Sequence, residues 1–225
     1  MEKNEKYREI FLTSHELFLS QGYEAATIRQ ISDLAGVSLG LTNHFFQSKQ
    51  ILAGRILDML SVYSTYHCDR NQPDTDPLLR SVLRTRVTVL YLLRGRYSRF
   101  YLESLKHDIR FPMLHEKPDP SLAELARIHG FPVDEDLFLF YGTYMPWTCE
   151  KTLILGKEKG LFSTIHHDEI PDYIAISRFE HFLDGRLLEQ ALSRSRQAAQ
   201  TVLSRMPSVV PDEFLLQYLE PPEED

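Results

Sequence analysis

Residues 35–50, AGVSLGLTNHFFQSKQ, contain side chains whose hydrogen-bonding groups suit nucleic acid. The amide of Asn43 presents a donor and an acceptor side by side, the arrangement that reads adenine, and His44 can donate to guanine or to a phosphate. Lys49 carries a positive charge that suits a phosphate, helped by the N-terminus of the helix that it begins. These residue types predict base contacts from Asn43 and His44 and a backbone contact from Lys49.

Such side chains need helices that hold them in place, and the flanking sequence predicts these helices. An apolar face over residues 5–20, closed by Gly22, predicts the first helix. Hydroxyl residues stand as N-caps where the next three helices begin: Thr27, Ser38 and Ser48. Gln30 completes a capping box at the first of these caps. The small turn AGVS predicts a helix-turn-helix, whose third helix, about 38–44, would lie in the DNA major groove.

Residues 17–52 resemble the N-terminal domain of the TetR family of one-component transcriptional regulators. The resemblance rests on two segments, LFLSQGYEAATIRQISDLAGVSLG and FFQSKQIL. It implies that the DNA-contacting residues are Thr27, Arg29, Ser38, Leu39, Gly40, Leu41, Asn43, His44 and Lys49. Asn43 stands where the family commonly has Tyr, and Thr42 where it has a bulky apolar residue. Base preference therefore cannot be carried over from relatives.

The sequence beyond residue 70 predicts a helical bundle. A polar linker, NQPDTDPLLR (71–80), leads into a long helix that Asp76 caps and Pro77 begins. Further helices are predicted over 121–129, over 134–159 with a bend at Pro146, over 170–192 and from about 195. The predicted fold is all-α, with a three-helix DNA-binding domain over 1–50 and a ligand-binding and dimerisation bundle over 51–225.

The segment HFLDGRLLEQAL (181–192) resembles a dimer-forming helix of several TetR branches. The apolar residues expected at this interface are Ile174, Phe182, Leu183 and Leu187. One helix-turn-helix reads too few base pairs for specificity, so two-fold pairing on a palindromic operator is expected. The function expected is that of a homodimeric regulator, most often a repressor, which a small molecule releases from DNA. The alternatives are a structural helical corner and a helical interaction protein that no longer binds DNA.

A run of arginines without an intervening acid suggests an anion site: Arg80, Arg84, Arg86, Arg94, Arg96 and Arg99. Two other interpretations stay open, namely ion pairs with the acid-rich C-terminal helices and a solvated helix face. The residues predicted to bind an effector are Arg96, Arg99, Phe100, Tyr101, Tyr144 and Trp147. Aromatic walls beside a guanidinium would favour an amphipathic anion, such as a fatty acid or an aromatic carboxylate.

Composition narrows the class of protein. The chain is 43% hydrophobic and 25% charged, and it lacks an apolar run of the roughly 18 residues that a membrane span needs. Cys68 and Cys149 lack metal-site spacing, and the N-terminus is no signal peptide, so a cytoplasmic protein without zinc is expected.

No catalytic nucleophile, phosphate-binding loop or dinucleotide motif appears, so neither an enzyme nor a cofactor is predicted. HHDE (166–169), near His181 and Asp184, favours helix capping over a metal site.

The charge of the sequence is the one feature that does not favour DNA binding. The net charge of the chain is −7, and residues 1–50 hold five basic and six acidic side chains. A DNA-binding module is ordinarily basic on one face. Few phosphate contacts per subunit and modest non-specific affinity are therefore expected.

Overall fold

The computed structural model describes residues 2–114, 120–132 and 134–219, which are helical and contain no strand. The helices are α1 (Glu2–Ala25), α2 (Ile28–Leu34), α3 (Leu39–Phe46), α4 (Lys49–Asn71), α5 (Pro77–Leu93), α6 (Ser98–Lys106), α7 (Pro120–His129), α8 (Glu135–Leu139), α9 (Met145–Glu158), α10 (Ile170–Phe179), α11 (Gly185–Arg205) and α12 (Asp212–Tyr218). The predicted all-α class is confirmed. None of the described helices is long and apolar enough to cross a membrane.

The chain divides into two compact units that do not follow the predicted boundary at residue 50. Unit 1 contains the described residues of Met1–Tyr63, Arg94–Arg110 and Pro207–Asp225. Unit 2 contains those of Ser64–Leu93 and Phe111–Met206. The boundary moves because α4 runs unbroken past residue 50 and because two later segments pack on the first helices.

Unit 1 is built around α1. Phe11 and Phe18 of this helix are fully buried, and the ring of Phe18 stacks on Phe100 of α6 with centroids 5.1 Å apart. Tyr7 stacks on Phe46 of α3 at 4.8 Å. A buried aromatic side chain of this kind stabilises by about 1.5–3 kcal/mol. The same helix therefore anchors both α3 and α6.

Unit 2 has a core between α5, α10 and α11. One cluster joins α5 and α7 to α10 and α11, with Val82, Leu125 and Phe179 at its centre. A second cluster joins α5 to α11 through Val87 and Val202. α5 buries residues on several sides, which fits its central place in this unit.

The predicted helix over 170–192 is wrong, because the chain breaks between α10 and α11. Asp184 ends the break as the N-cap of α11, and its carboxylate accepts from the Arg186 N–H at 2.8 Å. Ile174 and Leu183, predicted for a dimer interface, are 2% and 9% exposed and belong to the interior of unit 2. Phe182 is half-buried, whereas Leu187 is 41% exposed.

The bend predicted at Pro146 takes another form. Pro146 is the second residue of α9 and has no N–H to donate to the helical turn that precedes it. The irregularity lies before it, in a π-helical turn at Phe140–Tyr144. Leu122 packs so closely on Gly142 that any side chain there would require Leu122 to shift.

The arginines of the run have different surroundings and do not form one anion site. Arg84 pairs with Asp69 at 2.7 Å on the surface of unit 2, and Arg96 and Arg99 are exposed in unit 1. Arg86 is 2% exposed and pairs with Asp172 of α10. For this arginine, the interpretation of the run as ion pairs with C-terminal helices is correct.

Candidate nucleic-acid interface

The second helix begins at a capping box that matches the sequence prediction. The Thr27 hydroxyl accepts from the Gln30 N–H at 3.2 Å, and the Gln30 side-chain oxygen accepts from the Thr27 N–H at 2.9 Å. Thr27 has extended backbone angles, as an N-cap requires. Two backbone donors are thereby satisfied at the start of α2.

The turn between α2 and α3 depends on Gly36, whose φ is +64°. No atom lies within 4 Å of the position that a Cβ would take, so the backbone conformation, rather than space, selects glycine here. The N–H of Val37 donates to the carbonyl of Ser32 at 3.0 Å and closes the turn. The Ser38 hydroxyl then caps α3 by accepting from the Leu41 N–H at 3.2 Å.

A buried pair of hydroxyls joins the two helices of the motif. Thr42 of α3 and Ser32 of α2 are both essentially unexposed, and their side-chain oxygens are 2.8 Å apart. The Ser32 hydroxyl also donates to the carbonyl of Ile28 at 2.8 Å, so Thr42 donates to Ser32. This bond is a physical reason for threonine at position 42, and sequence inspection missed it.

The inner and outer faces of α3 are clearly distinguished. Thr42 and Phe46 are buried and fix the rotation of the helix. The outer face exposes Leu39, Gly40, Asn43 and His44, which are among the residues predicted to contact DNA. Leu41 is half-buried between the faces. The geometry thus presents an amide, an imidazole and an apolar side chain outward from one short helix.

Comparison with known proteins agrees with this geometry. Residues 10–56 match the family model described as bacterial regulatory proteins, tetR family. The match assigns this N-terminal segment to the TetR-type DNA-binding domain. The matched segment covers α2, α3 and the turn that joins them. No curated protein sequence matches the chain.

Solved structures similar to this chain include a gamma-butyrolactone receptor described as an ArpA-like protein (15% identity, 92% of this chain and 100% of that chain, TM-score 0.40). A second is a TetR-family transcriptional regulator from Haemophilus influenzae (16% identity, 88% of this chain and 98% of that chain, TM-score 0.33). A third is the fatty acid degradation regulator FadR from Bacillus halodurans (14% identity, 89% of this chain and 100% of that chain, TM-score 0.32). These likenesses are too distant to carry a functional argument.

Lys49, which the sequence predicts to contact a DNA phosphate, has partners within unit 1. Its Nζ donates to the backbone carbonyls of Tyr23 and Ala26, both at 2.9 Å, and lies 4.1 Å from the centroid of the Tyr23 ring. Partial burial lowers the pKa of Lys49 from its ordinary value, although Glu103 and Glu24 act in the opposite direction. The ammonium therefore fastens the start of α4 to the α1–α2 connection.

Lys49→Met should lower the stability of unit 1 by about 1–2 kcal/mol, because two charge-assisted bonds to carbonyls are lost while the apolar stem remains. It should leave the salt dependence of DNA binding unchanged. Arg29→Ala is the matched control, since Arg29 is exposed on α2 and its removal should reduce the salt slope by about one. Urea unfolding and binding titrations at several salt concentrations measure both effects. A reduced slope without loss of stability in Lys49→Met would return Lys49 to the DNA interface.

Segment 94–110 supplies the positive charge that the last turn of α1 lacks. Glu24 at the end of α1 accepts from Lys106 at 2.6 Å and contacts His107 at 2.9 Å. Hydrogen bonds from these two residues lower the pKa of Glu24. The acidic end of α1 is thus neutralised within unit 1, although the local sequence gives no sign of it.

α1 lies against side chains of α6 at Gly22. Its φ of +82° and ψ of 175° form a break inside α1. A Cβ at this position would lie 2.5 Å from Glu103 Oε2 and 2.8 Å from Arg99 Nε. Glu103 also accepts from the Glu24 N–H at 2.8 Å and pairs with Arg99 at 2.9 Å. We call this contact of Gly22 and Glu24 with Arg99 and Glu103 the α1–α6 clasp.

The residues predicted to bind an effector are divided between the two units. Phe100 and Tyr101 are buried in unit 1, because α6 turns its apolar face toward α1. Arg99 belongs to the α1–α6 clasp, where it pairs with Glu103, and the cationic pocket mouth beside Phe100 and Tyr101 stays a prediction. The other two predicted residues lie in unit 2, where Tyr144 and Trp147 contact the ring of Phe111 at 5.8 and 5.1 Å.

The histidine-rich segment 166–169 is a helix cap in the structure. The Glu169 carboxylate accepts from the His166 N–H at 2.7 Å and leads into α10. Within the described residues, no three His, Cys, Asp or Glu side chains come together as a metal site.

Proposed function

We propose that the chain binds operator DNA through α3 and regulates transcription as a homodimer. The observation that carries the proposal is the outward face of α3, where Asn43 and His44 are exposed while Thr42 and Phe46 hold the helix from behind. An amide and an imidazole on the exposed face of a groove-binding helix can read base edges directly. Sequence preference would thus arise from a few side chains.

The small number of base pairs that one α3 can contact implies that two copies of the chain bind DNA together. One short α3 spans too few base pairs for a specific genomic site, so we propose a two-fold dimer on an inverted repeat with half-sites about 10 bp apart or somewhat more. Leu187, at the start of α11, is the predicted interface residue that remains exposed. It is therefore retained in the proposed dimer surface.

Release from DNA would require a small molecule that distinguishes two arrangements of the protein. A coupling of about 1–3 kcal/mol between effector and operator would give a 5- to 150-fold response. α4 supports such coupling, because this single helix carries the chain from unit 1 into unit 2. We propose unit 2 as the effector-binding part and repression as the mode of control.

Asn43→Ala should weaken binding to the preferred operator by about 1–3 kcal/mol and relax base preference at one position of each half-site. The reason is the loss of two hydrogen bonds to a single base edge. Affinities for operators with single-base changes measure the effect. Glu16→Ala is the matched control, because Glu16 is an exposed residue of α1 outside the motif. Gln30→Ala is unsuitable as a control, because it breaks the cap of α2. Unchanged base preference in Asn43→Ala would remove Asn43 from the readout.

A further inference from the structure

The segment Pro207–Leu219 belongs to unit 1, although the preceding helix α11 belongs to unit 2. Its apolar residues Val210, Leu215 and Leu219 are at most 2% exposed, and α12 packs on α1. The ring of Phe214 meets Tyr63 of α4 edge-on, with centroids 4.8 Å apart. Residues 207–219 therefore complete the core around α1.

A tyrosine hydroxyl joins this segment to α1. The Tyr97 hydroxyl, in the 3₁₀ turn before α6, accepts from the Val210 N–H at 3.0 Å and lies 2.9 Å from His15 Nε2. His15 and Tyr97 are 3% and 1% exposed. Burial lowers the pKa of His15 to about 4, with Asp212 of α12 raising it and Arg96 of the turn lowering it. The imidazole is thus neutral at pH 7 and can accept from the Tyr97 hydroxyl.

The position of His15 on α1 connects this bond to the DNA-binding helix. Tyr7, Phe11 and His15 are spaced four residues apart and so lie along one face of α1. The rings of Tyr7 and Phe11 contact Phe46 of α3 at 4.8 and 6.5 Å. One row of side chains therefore reaches from the C-terminal segment to α3.

We propose that residues 207–219 form an intramolecular strap that holds α1, and through it α3, in the DNA-binding arrangement, and that loosening this strap lowers DNA affinity. The strap follows α11 of unit 2 with only a short connection, since α11 ends at Arg205. A ligand that shifts α11 would act on the strap through the chain itself. The DNA-affinity part of the inference rests on the proposed function, whereas the hold on α1 does not.

Tyr97→Phe in the full-length chain tests the strap with minimal change of shape. It removes the shared hydroxyl and leaves His15 and the Val210 N–H without this partner. We expect amide hydrogen exchange to become about tenfold faster in both α1 and the strap, and operator affinity to fall by a similar factor. Tyr66→Phe is the matched control, because its hydroxyl, which accepts from Arg70 at 2.8 Å, lies on an exposed surface.

A second variant, Leu215→Ala, loosens the strap through its core contact and leaves Tyr97 intact. Faster exchange in α1 in both variants supports the strap. Faster exchange in the strap with unchanged exchange in α1 overturns it. If exchange in α1 rises while operator affinity stays constant, the effect on DNA binding is overturned. If the parent chain binds no DNA, the proposed function fails, and the exchange measurement still decides whether the strap holds α1.

Discussion

Asp172→Ala should lower the free energy of unfolding of unit 2 by about 3–5 kcal/mol. Arg86, 2% exposed on α5, donates to the Asp172 carboxylate, to Ser195 Oγ at 2.9 Å and to the Asp168 carbonyl at 3.0 Å. Burial, and then the neighbouring Arg196, lower the pKa of Arg86 to about 10, so it remains charged at pH 7. Removal of the carboxylate would leave this buried charge without its counter-ion.

Urea unfolding of unit 2 measures this loss of stability, and two further variants serve as comparisons. Asp69→Ala removes the surface partner of Arg84 and should cost no more than about 1 kcal/mol. Replacing the buried pair together, as Arg86→Met with Asp172→Leu, should recover most of the stability, because no buried charge is left unpaired. An Asp172→Ala chain as stable as Asp69→Ala would show that the buried pair does not stabilise the helices around it.

Gly22→Ala should destabilise unit 1 by about 2–4 kcal/mol and weaken operator binding. The backbone at φ +82° and ψ 175° is one that residues other than glycine rarely adopt, at a cost of about 1–3 kcal/mol. The new methyl group would also displace Glu103, which accepts from the Glu24 N–H. The α1–α6 clasp would thereby open at the end of α1.

Gly95→Ala separates the two causes. Gly95 also lies in unit 1 with a φ of +84°, but nothing lies within 4 Å of its Cβ position. It should show the backbone cost alone, so the difference between the two variants reports the contact with Glu103. Thermal unfolding and operator titration are the measurements. Equal losses in both variants would mean that the contact between Gly22 and α6 adds nothing.

Local signals made the DNA-binding domain predictable from sequence. The caps at Thr27 and Ser38 involve residues three positions apart, and the turn depends on the backbone freedom of Gly36 alone. Such signals need no knowledge of the tertiary fold. A signal of the same type contradicts one prediction, because Asp184 caps a new helix within the predicted helix over 170–192.

Partners distant in sequence could not be predicted in this way. Thr42 meets a hydroxyl ten residues away, Lys49 binds carbonyls more than twenty residues away, and Arg86 finds its carboxylate 86 residues later. A hydroxyl or a charge looks alike in the sequence whether it faces solvent or a buried partner. Its role therefore becomes visible only once helix packing places the partner beside it.

Selection of bound sequences from random double-stranded DNA by the full-length protein tests the central claim most directly. The account predicts enrichment of inverted repeats whose half-sites lie about 10 bp apart or somewhat more, because each half-site would be read by one α3 of a two-fold dimer. Asn43→Ala, selected in parallel, should lose preference at one base pair in each half-site. Recovery of no sequence preference from the parent protein would contradict the account and favour a helical interaction protein that no longer binds DNA.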